Sequence, residues 1–283
     1  NAGASGLNTA VGYQAGTAVT TGIRNTLIGA AAGDALTDAD RNTAVGHIAL
    51  STDTLGSRST AIGHGALTTQ NFTTATDVYN TAVGHSAGLA ITTGVNNVLM
   101  GGLTGDALTD ADENVAIGHA ALSSDTLGSR SVAIGREALT TQNFTTATAT
   151  YNVAVGANAG QAVTVGVQNT LIGGLAGDAL TEGARNVAVG KSALSADTNG
   201  ARATAIGFGA LGVQNFTTAT ENFNVGVGYD AGAAITTGLS NTIIGGAAGD
   251  ALTDADFNTA VGKDALSSDT LGSKSTAIGT GTL

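Results

Sequence analysis

The stretch NTAVGYQAGTAVTTGIRNTLIG, residues 8–29, reads Asn-Thr-Ala-Val-Gly and then, 17 residues later, Asn-Thr-Leu-Ile-Gly. Following the closing glycine along the chain gives Gly12, Gly29, Gly46, Gly63, Gly84 and so on to Gly279, sixteen units spaced 17, 17, 17 and 21 residues in rotation. Four units make a 72-residue block, with block starts at Asn8, Asn80, Asn152 and Asn224. Self-similarity at a fixed period marks a stack of near-identical units rather than ordinary domains. The 283 residues therefore read as one repetitive segment with blocks 8–79, 80–151, 152–223 and 224–283. The chain opens and closes partway through a unit, which is expected of a piece of a longer protein.

Each column of the stacked units carries a requirement. The residue before the glycine is always aliphatic (Val11, Ile28, Val45, Ile62, Met100), and the residue three before it is Thr or Val (Thr9, Thr26, Val98, Val115). β-branched residues on a two-residue period predict a short strand in every unit. Alternation puts Thr9 and Val11 on one face and Asn8, Ala10 and Gly12 on the other, and two largely apolar faces suit a parallel sheet covered on both sides. The glycine supplies a corner. A coil of 17 residues has room for two strands of about four to six residues, which predicts an all-β parallel β-roll, or β-solenoid, of sixteen coils. A hexapeptide-type helix is the alternative architecture. With Val and Ile taken as the interior, Ala10, Leu27, Leu99, Leu171 and Ile243 form an outward apolar stripe that identical chains would have to cover.

The bulk composition excludes several function classes. Gly accounts for 43 residues, while Cys, Pro and Trp are absent, so no disulfide contributes. The net charge of -11 repels phosphate backbones, and no Lys/Arg cluster offsets it, which argues against nucleic acid as a partner. No apolar run approaches the roughly 18 to 20 residues of a membrane span, so this segment is not expected to insert in a bilayer.

The strings NTAVG, STAIG and NVAIG, each followed by an x-x-Ala-Leu or x-x-Ala-Gly step, resemble the YadA-like head repeats of trimeric autotransporter adhesins, and similar strings occur in bacteriophage tail fibres. The resemblance covers essentially the whole chain. It implies a left-handed roll, a homotrimeric fibre, and display outside the cell, on a cell surface or on a virion. The chain departs from the usual head repeat in its longer coils and in the four extra residues of every fourth coil.

That long coil carries LTTQNFTTAT at residues 67–76, again at 139–148, and LGVQNFTTAT at 211–220. Gln70, Asn71, Phe72 and Tyr79, with Gln142, Asn143, Phe144 and Tyr151 and with Gln214, Asn215 and Phe216, are the candidate surface-binding residues, because four residues inserted at one corner should bulge outward and loops on a rigid scaffold often carry recognition. The alternative is that Phe72 and its copies plug the roll or a seam between chains. In GDALTDADRN, residues 33–42, Asp34, Asp38 and Asp40 raise a calcium reading, but the third block reads GDALTEGARN and breaks the acid pattern. His47, His64 and His85 share a column whose other members include Tyr13, Ala30, Arg136 and Lys191, which reads as an exposed face rather than a metal site. Asn8, Asn25 and Asn42 predict an amide ladder with a structural role. Asp53 with Arg58, Asp125 with Arg130 and Asp269 with Lys274 read as surface ion pairs.

No differentiated catalytic constellation stands out, since every acid recurs with the repeat. The expected function is non-enzymatic, with no cofactor: an extracellular structural or adhesive module, an adhesin head or tail-fibre shaft, that spans distance and presents repeated loops. Its partners would be two copies of itself and a cell-surface glycan or protein receptor. A surface filament without a receptor is one alternative. An ice-binding solenoid is another, suggested by the pairs Thr20–Thr21, Thr92–Thr93 and Thr236–Thr237.

Overall fold

The computed structural model describes residues 6–283, and they contain strands and turns but no helix. The fold is an all-β parallel solenoid of about sixteen turns, each turn contributing one three-residue strand to a parallel sheet. The chain divides into two compact units. One runs to Arg136 and takes in Asn143–Ala149; the other comprises Glu137–Gln142 and Thr150–Leu283.

In the first unit the strands Thr9–Val11, Thr26–Ile28, Thr43–Val45, Thr60–Ile62, Thr81–Val83, Val98–Met100, Val115–Ile117 and Val132–Ile134 pair in order. Thr9 lies opposite Thr26, Thr26 opposite Thr43, Thr43 opposite Thr60 and Thr60 opposite Thr81, so like residues stack on like. The second unit repeats the pattern from Val153–Val155 to Thr276–Ile278. Among the described residues a second strand pair forms only beside the long coils, joining Gly56–Ser57 to Thr76–Asp77, Gly128–Ser129 to Thr148–Ala149, and Gly200–Ala201 to Thr220–Glu221. The two strands of four to six residues expected in each coil are replaced by one short strand and a series of turns.

Two demands fix the corner glycine. Gly12 has φ 134° and Gly101 φ 138°, a region that side chains rarely enter. A Cβ on Gly12 would also come within 2.5 Å of the Gly29 carbonyl oxygen one coil on, and one on Gly101 within 2.6 Å of Gly118. Other corners use ordinary residues in the left-handed region, such as Arg41 (φ 58°), Leu50 (φ 53°) and Tyr79 (φ 57°). At Arg41 and Leu50 the strain, of order 1 kcal/mol each, is opposed by bonds between coils: Arg41 N–H donates to the Ile23 carbonyl at 3.0 Å and Leu50 N–H to Ala66 at 3.0 Å.

The two strand faces are the reverse of the sequence expectation. Leu27, Leu99, Leu171 and Ile243 point inward and are 0–1% exposed, as are Ala44, Ala61 and Ala82; Ala10, in the first strand, stays exposed. The aliphatic column before the glycine faces out, with Ile28 38% and Met100 42% exposed. The reason is the size of the coil. So tight a turn encloses room for Ala, an occasional Leu and an amide, and β-branched side chains at every level would overfill it.

The asparagine column forms the expected ladder, though chiefly from side chain to backbone. Asn25 Oδ1 accepts from Asn42 N–H at 2.9 Å, and Asn25 Nδ2 donates to the Ala39 carbonyl at 2.7 Å. The same pair of bonds recurs at Asn97, Asn169 and Asn241. Each buried amide thereby satisfies a backbone donor and a backbone acceptor that the narrow core would otherwise strand.

Candidate functional site

The long coil departs most from the rest of the stack, and its shape follows from one residue. Leu55 N–H donates to the Phe72 carbonyl at 3.1 Å, and the Leu55 carbonyl accepts from Thr76 N–H at 3.4 Å. The chain between those bonds, Thr73, Thr74 and Ala75, has to loop out, and all three residues are exposed. Leu127 brackets Phe144 and Thr148 in the same way, and Asn199 brackets Phe216 and Thr220. The inserted residues thus bulge, as the sequence suggested, but the candidate side chains before them divide by alternation.

Gln70, Gln142 and Gln214 are fully buried, and Phe72, Phe144 and Phe216 are 6–7% exposed, so these six residues offer no binding surface. Asn71 and Asn215 are half-buried and Asn143 is exposed. Tyr79 and Tyr151 are exposed by about half, at 50% and 51%. The plug reading therefore holds for the phenylalanines, and the surface reading survives for the asparagines and tyrosines.

The glutamines belong to a buried polar cluster that the sequence did not announce. Asp53 is fully buried. Its Oδ1 accepts from Gly56 N–H and Phe72 N–H, both at 3.0 Å, and its Oδ2 accepts from Gln70 Nε2 at 2.6 Å. Gln70 Nε2 also reaches Ser59 Oγ at 3.0 Å, while Gln70 Oε1 accepts from Asn80 Nδ2 at 3.0 Å. Asn80 passes the chain on to the Gly94 carbonyl at 2.7 Å. Block three repeats the set with Asp197, Gln214 and Asn224, with Ala203 in place of the serine. Asp125 accepts from Gly128 N–H and Phe144 N–H, and Asn152 Nδ2 donates to Gln142. Burial pushes the Asp53 and Asp197 carboxyls above the ordinary aspartate value of 3.8, against the opposing pull of bonds from Phe72 or Phe216, from the glutamine and from the turn glycine.

This placement overturns the surface ion pairs. Asp53 faces the core, and Arg58 instead pairs with Asp77 at 2.7 Å and lies 5.5 Å over the Tyr79 ring. Arg130 pairs with Glu113 at 2.9 Å. Asp269 accepts from Gly272 N–H at 2.8 Å rather than from Lys274. The missed signal was the column: seven residues past the corner glycine, other coils hold Val19, Leu36, Ile91 and Leu108, and an acid in a column of aliphatics is an interior acid. The structure adds a composite surface feature, in which Arg202 lies 5.5 Å over Phe223 and pairs with Glu221 at 2.8 Å, as Arg58 does with Tyr79 and Asp77.

The remaining candidates resolve into surface and turn roles. Asp38 accepts from Thr21 Oγ1, and Asp40 Oδ1 accepts from Ile23 N–H at 2.8 Å, so both acids tie to the coil before them. The His47, His64 and His85 rings stack face to face with centroids 5.3 and 5.1 Å apart, a geometry in which ring nitrogens point sideways rather than converge. Among the described residues, no group of three or more His, Cys, Asp or Glu side chains is placed to hold a metal ion, and no cavity opens. No helix there is long and apolar enough to cross a membrane. Thr20, Thr92 and Thr236 donate their hydroxyls to the Thr37, Thr109 and Thr253 carbonyls of the next coil. No family model, curated protein or solved structure matches this chain.

Proposed function

We propose that this chain is a module of an extracellular homotrimeric fibre, displayed on a cell or virion surface and built, like the YadA-like heads it resembles, as a left-handed roll. Its work is mechanical and adhesive, spanning distance while presenting the same surface once per 72-residue block. It carries out no reaction. The observation that carries this reading is the outer aliphatic column. Ile28, Val45, Ile62, Val83 and Met100 stack in register on the outer strand face, an ordered apolar strip of a kind that soluble chains cover. Three copies packed around an axis along that column remove it from water without any other change to the coil.

The receptor-facing candidates are the exposed aromatics Tyr79, Tyr151 and Phe223; Tyr79 and Phe223 carry an arginine over the ring and an acid beside it. An aromatic face with flanking hydrogen-bonding charge suits a glycan or a protein receptor. Saturable binding to cells or to a glycan panel, lost in a Tyr79→Ala, Tyr151→Ala, Phe223→Ala variant of unchanged thermal stability, is the expected result. Undiminished binding would move the receptor site elsewhere, and no binding at any surface would leave a filament without a receptor.

A second reading draws on the same outer face. Thr9, Thr26, Thr43, Thr60 and Thr81 stand in register beside the aliphatic column, an ordered threonine row that a single, uncovered chain could offer to ice. The Thr20-type hydroxyls are committed to carbonyls and contribute less. Thermal hysteresis from a monomeric chain would establish this reading, and its absence in that form would end it.

A further inference from the structure

The three long coils place the same tripeptide at the same corner: Asn71-Phe72-Thr73, Asn143-Phe144-Thr145 and Asn215-Phe216-Thr217. Asparagine followed two residues later by threonine, with a residue other than proline between them, is the acceptor pattern for N-linked glycosylation. No other asparagine in the chain has Ser or Thr two residues on, although many are followed directly by Thr, as in Asn8-Thr9-Ala10 and Asn25-Thr26-Leu27. The pattern is therefore confined to one corner of one coil type.

The structure separates these asparagines from the rest. In the ladder, the carboxamide nitrogen is spent on a buried carbonyl: Asn25 on Ala39, Asn42 on Gly56, Asn80 on Gly94. Asn71, Asn143 and Asn215 use only their oxygens, which accept from Thr54, Thr126 and Thr198 hydroxyls at 3.2, 3.2 and 3.0 Å. Their Nδ2 groups donate to no acceptor among the described residues. Alternation turns the intervening phenylalanine inward and Thr73, Thr145 and Thr217 outward, where they are exposed and begin the looped-out segment. The nitrogen that would carry a sugar and the hydroxyl that a transferase reads are thus both free, while the phenylalanine between them stays anchored in the core and the looped-out segment begins at the threonine. By residue count this corner lies about halfway round from the outer aliphatic column, so a glycan there leaves that column open to a second chain.

We propose that Asn71, Asn143 and Asn215 are N-glycosylation sites, one for each complete long coil; the proposal rests on the extracellular reading, since the donor and its transferase act on exported chains. In the transfer, the carboxamide nitrogen forms a bond to the anomeric carbon of an oligosaccharide carried on a polyisoprenyl pyrophosphate. The bond from that carbon to the pyrophosphate oxygen breaks, the pyrophosphate leaves with the electron pair, and the amide proton passes to a base of the transferase.

The test is peptide mapping by mass spectrometry of the protein purified from its natural source, with the cell fraction of origin recorded. The expected result is hexose-containing mass on the peptides bearing Asn71, Asn143 and Asn215, with conversion of those residues to Asp on enzymatic release and none on the ladder asparagines. Expressed in the same source, the Thr73→Ala, Thr145→Ala, Thr217→Ala variant should lose all three glycans with its thermal midpoint, measured on deglycosylated protein, unchanged. The corresponding Thr→Ser variant should keep them. Unmodified peptides from protein recovered at the cell surface or in the medium would overturn the sites and leave the extracellular reading standing. Unmodified protein confined to the cytoplasm would overturn both.

Discussion

Leu36 and Asp53 occupy the same place in successive coils, seven residues past the corner glycine, and both are fully buried. Around Leu36 the coil is apolar and filled by size: Leu27 projects inward, and Gly33 is bare because a Cβ there would lie 2.8 Å from both Leu27 Cδ2 and Leu36 Cδ1. Around Asp53 the sizes are exchanged, with Ala44 at the Leu27 position and Leu50 at the Gly33 position, and the remaining space holds a carboxylate with three donors aimed at it. One narrow interior is thus filled in two ways. The apolar half tolerates trades of volume between columns, whereas the polar half depends on every hydrogen bond being made.

The largest effect should come from forcing one half into the other's chemistry. Asp53→Leu leaves the Gly56 and Phe72 amides without an acceptor and the Gln70 Nε2 with only its Ser59 contact, and at roughly 1 kcal/mol or more per stranded N–H the loss should reach about 3 kcal/mol, read as a drop in denaturation midpoint and in amide protection at Gly56 and Phe72. A shift no larger than that of a surface substitution would mean the cluster is not holding the coil. Next in size, Gly33→Leu should cost about 1 to 3 kcal/mol by overpacking. Pairing it with Leu27→Ala reproduces the third-coil pattern and should restore much of the loss, an interaction that a double-mutant cycle measures. Additive losses would break the comparison.

Proton linkage sharpens it further. The folded chain holds protons on Asp53 and Asp197 more tightly than the unfolded chain, whose carboxyls titrate near the ordinary 3.8. Their contribution to stability is therefore greatest below that pH and falls as pH rises through the raised folded values. Asp53→Asn, Asp197→Asn should flatten the denaturation midpoint across this window, and an unchanged slope would assign the pH dependence to other groups. The smallest effect belongs to Arg58→Ala, expected to cost less than about 1 kcal/mol because its pair with Asp77 is exposed. A cycle with Asp53 should show no coupling, since the two do not meet.

Much of this architecture was legible in the sequence. The glycine count set the coil boundaries, and the Thr/Val and Val/Ile columns located the strands that the register then aligned. What misled was the assumption that the most consistently aliphatic column is the buried one. In a coil this tight, interior volume limits the core to Ala44-sized residues with a few leucines, so Ile28 and Ile62 are pushed outside. Left-handed corners at Arg41 and Leu50 carry no glycine and gave no local signal; bonds between coils make them tenable. At the long coil, spacing identified the bulge, but the burial of Gln70 and Phe72 followed from Asp53, whose nearness in sequence to Arg58 suggested a surface partner.

The inversion of the faces bears directly on function, because it makes the outer aliphatic column the seam on which the fibre reading depends. Sedimentation equilibrium of the chain, alongside a variant with Ile28, Ile62, Ile206 and Ile244 changed to Thr, is the most direct test. The account predicts a mass of three chains for the wild type and of one for the variant, with strand content unchanged in both. A wild-type chain that stays a single, soluble species at every concentration would contradict it.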